Sequence, residues 1–292
     1  CEDWLARQEL HVEVAMRWAS AEGLQWLLHI DLDELFVLAE GASAPQHFGS
    51  VPPELHTTQY LNHEGVPELE SPEDDPGELR RNRFEAITLF RRNPRCLIVD
   101  RQGFGPGVDV SAWQLRLSTA SEAAVCGTGA PAGRVKLPSD AGAGVLAMRS
   151  AVDFWLQRTR AALGTAQYFL AYEHGKGAVR LRSGARPEGV HRFGGIAAEA
   201  SALGYWCAEE AVVMHYANGS YEAVSEKLRR LRTSSGDWWR CYKLYVTGRE
   251  MDEQALREVY MGAVALCSDA AEAARQVKSG VCFRYHGGGL GG

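Results

Sequence analysis

The chain has 292 residues, 46% hydrophobic and 23% charged, and its 31 basic and 37 acidic side chains give a formal net charge of −6. That is the composition of a globular protein with room for one large α/β domain or two small ones, and the acidic balance argues against a general nucleic-acid-binding surface. No apolar run reaches the roughly 18 residues a membrane span needs, and no basic-then-apolar leader opens the chain.

The start at Cys1 rather than methionine reads as a fragment or a processed product. The seven cysteines form no CxxC pair, so no zinc module is expected, and the odd count leaves at least one thiol unpaired or paired across chains. Asn218-Gly219-Ser220 is a glycosylation sequon that matters only in a secreted chain.

In chain order, Trp4, Leu5, Leu10, Val14, Ala15 and Trp18 keep a helical period over residues 3 to 22, and Gly23 stands where a helix C′ glycine belongs. Residues 24 to 30 form an apolar run short enough for a strand buried on both faces. Asp31, Asp33 and Glu34 follow at once. Residues 40 to 56, with Gly41, Gly49 and Pro52-Pro53, read as loop.

An acidic, proline-bearing stretch at 64 to 78 precedes Arg80, Arg81, Arg83, Arg91, Arg92 and Arg95. These are either two solvated segments of opposite charge or a phosphate- or acceptor-facing arginine patch. Residues 101 to 147, rich in glycine, alanine and serine, read as an insertion or long loop.

Helical spacing returns at 151 to 162. Strands are expected at 167 to 172 and 178 to 181, around the turn His174-Gly175-Lys176-Gly177, and at 211 to 216. A helix over 220 to 231 starts from Ser220 as N-cap, residues 252 to 278 have helical spacing, and the glycine-rich end, 286 to 292, reads as disordered.

The sharpest chemical feature is Trp26-Leu27-Leu28-His29-Ile30-Asp31-Leu32-Asp33-Glu34. Carboxylates at the end of an apolar strand are costly unless a positive charge compensates them, and a divalent cation is the usual one. If the strand continues, Asp31 and Asp33 project to the same side, and their oxygens suit Mg2+ or Mn2+. The competing reading is a helix start, with Asp31 as cap and Glu34 completing a capping box.

Together with Arg7-Gln8 and His11, that block resembles the central motif of nucleotide-sugar glycosyltransferases related to families 92 and 2. Further blocks agree in order: Glu85 to Asn93, Gly175 to Arg180, Gly189-Val190-His191-Arg192-Phe193 and Val213-Met214-His215-Tyr216. The resemblance implies an α/β fold of the GT-A type, a Rossmann-like mixed sheet flanked by helices. On that resemblance the domain would be truncated at its N-terminus, because only about one helix and one strand precede the DxD.

The partial domain would cover residues 1–250, followed by a C-terminal helical segment at 251–285. Asp31 and Asp33 would be the metal-binding DxD, holding Mn2+ (or Mg2+) against the donor diphosphate and stabilising its growing charge. His215 would complete the metal site or touch the diphosphate, with a hydrogen-bonded structural histidine as the alternative.

Glu34, Lys176, Arg180, His191 and Arg192 are substrate-binding candidates, Lys176 and Arg180 as phosphate clamps after a glycine turn; solvated hairpin cations are the plain alternative. The catalytic base is sought among Glu173, Glu209, Glu210 and Asp237, and Asp237 beside Trp238-Trp239 is preferred. Implied partners are a nucleotide-sugar donor and a glycan or glycoprotein acceptor, with no nucleic acid, and the implied location is the Golgi or secretory pathway. A metal-dependent phosphohydrolase or nuclease and a non-catalytic carbohydrate-binding fragment are the other classes considered.

Overall fold

The computed structural model describes residues 2–53, 55–69, 84, 87–94, 96, 143–194, 204–206, 211–233, 242–267 and 270–285. Two compact units alternate along the chain, one made chiefly of Cys1–Asn62 and His174–His215, the other of His63–Glu173 and Tyr216–Gly287. The acidic block, the glycine turn and His215 all belong to the first.

In that first unit, α1 (Glu2–Ala21) ends as expected at Gly23. Gly23 has φ +77, the Leu24 N–H donates to the Ala19 carbonyl at 2.9 Å, and the Gly23 N–H donates to that of Ser20 at 3.2 Å. This is a Schellman closure, which needs the left-handed residue that glycine supplies without strain.

A four-stranded mixed sheet carries the unit. Its order is β1 (Trp26–Leu28), β7 (Lys176–Arg180), β3 (Thr57–Tyr60) and β10 (Gly204–Trp206). The first two junctions are antiparallel and β3–β10 is parallel.

Side chains alternate across the sheet. Leu27 and Val179 meet Val12, Met16 and Ala19 of α1 on one face. Trp26, Leu28, Tyr60 and Ala178 cluster with Phe48 of α2 (Ala44–Ser50) on the other. A mixed sheet flanked by helices is the α/β, Rossmann-like class expected from the sequence. Beside it, β2 (Glu34–Leu38) pairs antiparallel with β11 (Ala211–His215), and β8 (Arg186–Glu188) pairs with β9 (Arg192–Gly194).

Three local expectations change. The strand expected over residues 24 to 30 shrinks to the three half-buried residues of β1, at the edge of its sheet, and Leu24 is 56% exposed. The segment read as loop, 40 to 56, contains α2, opened by a capping box in which Ser43 and Gln46 satisfy each other's backbone N–H. The polar run Thr57–Tyr60, not read as a strand, is β3 and fully buried.

The second unit holds β4 (Asn62–Val66), β6 (Leu89–Arg91) and β13 (Cys282–Arg284), antiparallel in that order, and the short parallel pair of β5 (Glu68–Leu69) and β12 (Leu266–Cys267). Among the described residues its helices are α3 (Ala143–Leu163), α4 (Tyr221–Arg232), α5 (Lys243–Gly248), α6 (Glu253–Val259) and α7 (Ala270–Lys278), with a π-helical turn at Tyr260–Val264.

Ser220 caps α4 as expected, its Oγ accepting from the Ala223 N–H. Helix α3 begins within the stretch read as loop. Residues 167 to 172 are irregular rather than a strand, yet Tyr168, Phe169 and Leu170 are buried in the core. The sequon is closed: Asn218 is 2% exposed, and its carbonyl accepts from the Tyr260 hydroxyl at 3.4 Å.

Arg91 fits neither reading of the arginine run. Its Nη2 lies 2.7 Å from Glu64 Oε2 with both side chains 1% exposed, and its guanidinium sits 4.3 Å from the Trp155 ring centroid. It is a core ion pair roofed by an aromatic ring. Arg80, Arg81, Arg83 and Arg95, most of the stretch read as an insertion, and the glycine-rich end lie outside the described residues. No described helix is long and apolar enough to cross a membrane.

Candidate active site

The acidic block folds as a tight turn rather than a continuing strand or a helix start. The Asp31 carbonyl accepts from the Glu34 N–H at 3.1 Å, and Glu34 Oε2 accepts from the Asp31 N–H at 2.7 Å. Glu34 thus makes one arm of the expected capping box, but the chain leaves the turn into β2. Asp31 and Asp33 are held by the two sides of a turn, and Leu32 stands 95% exposed between them.

Lys176, the first residue of β7, is fully buried and is not a solvated hairpin cation. Its Nζ lies 2.6 Å from Asp31 Oδ2 and 3.6 Å from Glu34 Oε2. The positive charge that compensates Asp31 is therefore this ammonium.

The glycine turn positions that lysine by letting two backbones meet. Gly175 has φ +70, and a Cβ there would stand 1.9 Å from the Tyr60 carbonyl oxygen. Its N–H donates to Asn62 Oδ1 at 3.0 Å. Gln59 Nε2 donates to the carbonyls of His174 at 2.6 Å and His191 at 3.0 Å, tying the turn to the loop before β9.

Burial raises the Asp31 carboxyl, but the Lys176 ammonium, helped by His191 and His29, outweighs it and holds the group below the usual carboxylate range. Burial dominates at Glu34, which is pushed up to about 7 against the pull of Lys176 and the Asp31 N–H. His191 is pushed down to about 3 by burial and then by Lys176, and its Nδ1–H donates to the Gly175 carbonyl at 3.1 Å. His29 is lowered by the same two causes. One lysine, two carboxylates of opposite tendency and two neutral imidazoles therefore share one patch.

Strand register brings His215 to this turn. In the β2–β11 ladder His215 lies opposite Glu34, which sets its Nε2 3.9 Å from Asp33 Oδ2. Two of the residues assigned to a metal, Asp33 and His215, thus stand together, while Asp31 is engaged by Lys176.

The remaining candidates lie apart from this arrangement. The Arg180 guanidinium rests 4.5 Å from the Trp26 ring centroid and donates to the carbonyls of Val51, Pro52 and Leu55, so it ties down the chain after α2. Arg192 is exposed, 3.9 Å from Glu188 across their strand pair. Glu173 lies in the second unit, where its carbonyl accepts from Asn93 Nδ2. Glu209, Glu210 and Asp237 lie outside the described residues. Sequence reading passed over His29, although its period-two spacing from Asp31 was a signal, and Gln59, which had none.

Among the described residues no group of three or more His, Cys, Asp and Glu side chains is close enough to hold a metal ion. Asp33 and His215 offer one carboxylate and one imidazole, a donor pair that suits a cation arriving with ligand phosphates and water.

The chain is similar to a protein of Arabidopsis thaliana named glycosyltransferase-like, with 23% identity over 243 residues, which is 82% of this chain and 35% of that protein. It spans about a third of the relative's length. No protein-family model matches the chain, and no solved structure matches it.

Proposed function

We propose that this chain carries part of the catalytic region of a glycosyltransferase that moves a sugar from a nucleotide-diphosphate donor to a glycan or glycoprotein acceptor. The carrying observation is the register that sets His215 beside Asp33 on a turn whose other carboxylate is already neutralised. Likeness to the Arabidopsis protein, over most of this chain, supports the same reading. The GT-A fold and a relation to families 92 and 2 are part of the proposal, as is Asp237 as the catalytic base.

In this reading Asp33 and His215 hold Mn2+ or Mg2+. When bound, the cation supplies positive charge to the departing diphosphate. Lys176 keeps Asp31 ionised and the turn closed, Glu34 fixes the turn through the Asp31 N–H, and the neutral His191 holds the Gly175 carbonyl. Residence in the secretory pathway is proposed with it. Cys96 is disulfide-bonded, and such bonds persist in oxidising compartments.

Neutralisation of the half-buried Asp31 by the buried Lys176 favours a second reading, in which the acidic turn is structural and the chain is a non-catalytic carbohydrate-binding one. Manganese titration in the presence of a nucleoside diphosphate, followed by the paramagnetic resonance of free Mn2+, separates the two. The transferase reading expects binding that Asp33→Asn or His215→Ala weakens at least about tenfold. It fails if the chain takes up no Mn2+, or if both variants bind as the wild type does. Turnover of a panel of sugar nucleotides then distinguishes a transferase from a phosphohydrolase.

A further inference from the structure

Gln59 is a polar residue of β3, 4% exposed, and a buried primary amide is costly on a sheet unless both of its protons find acceptors. Here both do, and neither acceptor belongs to a strand. Nε2 donates to the carbonyl of His174, ahead of β7, and to that of His191, ahead of β9. One side chain thus joins two connecting segments.

The residue opposite Gln59 in the β3–β7 ladder is Gly177, so the two share a face of the sheet. That glycine permits a close approach. A Cβ on it would stand 3.1 Å from the His191 carbonyl oxygen and from the Arg192 Cα, and 3.2 Å from the Phe193 ring. Gly177 leaves the space and Gln59 supplies the hydrogen bond, and together they seat residues 191 to 193 on the sheet. The residues just before them reach the charged pair. The Val190 carbonyl accepts from Lys176 Nζ at 3.5 Å and also faces His29, while the Gly189 N–H donates to Glu9 Oε1 at 2.6 Å.

We propose that Gln59 is a positioning residue of the donor site: by holding the carbonyls of His174 and His191 it fixes residues 189 to 191 against Lys176 and Asp31, and so fixes the turn that presents Asp33 to the cation. This role rests on the transferase reading. Gln59 acts only through the segment it holds, as outer groups do when they orient a metal ligand without touching the metal. A purely structural glutamine would alter the stability of the unit as a whole. A positioning one couples the local order of residues 189 to 193 to ligand binding, and such coupling is reciprocal.

The test follows hydrogen exchange at residues 189 to 193 by mass spectrometry, beside Mn2+ titration in the presence of uridine diphosphate, with urea denaturation to monitor the fold. In the wild type, Mn2+ with the diphosphate should slow exchange at 189 to 193, and this arm stands whether or not a variant folds. Gln59→Met keeps the length and removes both donors. It should speed exchange there and weaken Mn2+ binding, each by about tenfold, with exchange in β11 unchanged. Gln59→Glu should lose as much at about pH 8 and regain part of it, relative to the wild type, at about pH 6, where a protonated carboxyl again donates to one carbonyl. A wild type that takes up no Mn2+ overturns the transferase reading and this role with it. Wild-type binding that leaves 189 to 193 unprotected, or that both variants keep, overturns the role of Gln59 alone. So does a loss that follows a uniform rise in exchange across the unit, or one in Gln59→Glu that the lower pH does not relieve.

Discussion

Lys176 Nζ lies 2.6 Å from Asp31 Oδ2, while Glu34 Oε2, 3.6 Å from the same nitrogen, is left without the close contact. Burial pushes Glu34 up to about 7 against the pull of this ammonium, whereas at Asp31 the nearer ammonium outweighs burial and holds the carboxyl down.

Replacing that ammonium should cost more than replacing either acid. In Lys176→Met two buried or half-buried carboxylates lose their counter-charge, and a loss of about 3 kcal/mol is expected. Asp31→Asn keeps a neutral acceptor and leaves Lys176 beside Glu34, for about 1 kcal/mol. Urea denaturation at neutral pH measures both. Equal losses would show that the lysine is not the charge around which the turn is built.

Gly175→Ala should be among the most damaging single-methyl additions in the chain. It combines a positive φ with a Cβ inside the Tyr60 carbonyl, so either strand β3 or β7 must move, and a loss above about 3 kcal/mol is expected. At Gly23 φ is also positive but nothing lies within 4 Å of the added carbon, and alanine should cost about 1 kcal/mol. The difference between the two melting temperatures is the measurement.

Acid should destabilise the second unit through His63. Burial, then Arg92, pushes this imidazole down to about 3, and its Nδ1 accepts from the Asn93 N–H at 2.9 Å, which fixes the neutral form. The unfolded chain takes up a proton below its ordinary value of about 6.5, whereas the folded chain does not until about 3. Between those two values the unfolded state holds the extra proton, so His63 subtracts about 1.4 kcal/mol for each unit of pH decrease. His63→Asn, whose Oδ1 takes the acceptor position, should flatten that part of the stability profile. An unchanged slope would remove His63 as its source.

The sequon should stay bare. Asn218 is 2% exposed and Ser220 is occupied as the cap of α4, so a glycosylating enzyme has no access once the chain has folded. Expression through a eukaryotic secretory host should give the same intact mass for the wild type, apart from the side-chain difference, as for Asn218→Gln. A glycan found at Asn218 contradicts the burial.

What could be read from the sequence divides along physical lines. Helix α1 with its Gly23 stop, helix α4 with its Ser220 cap and strand β11 ending in His215 are local patterns, and period and capping chemistry suffice for them. Strand β3 defeats such reading because Thr57, Thr58 and Gln59 are polar yet buried, sustained by partners distant in the sequence. Lys176 and Arg91 fail for the same reason. A cation's burial depends on the carboxylate it will meet, Asp31 in one case and Glu64 in the other, and neither pairing is written in spacing. At the site, the residue types were legible. Their division was not, because only the β2–β11 register gives His215 to Asp33, and only the start of β7 gives Lys176 to Asp31.

Lys176 follows Asp31 by 145 positions, so a ribosome releases the acidic turn long before its counter-ion emerges. Until strand β7 arrives, two carboxylates must remain hydrated and the edge of the nascent sheet has no neighbour, a delay of the kind that long-range strand pairing imposes on folding. The first unit is thus completed only by late-synthesised sequence, and a chain interrupted before His174 would carry the acids without the means to bury them.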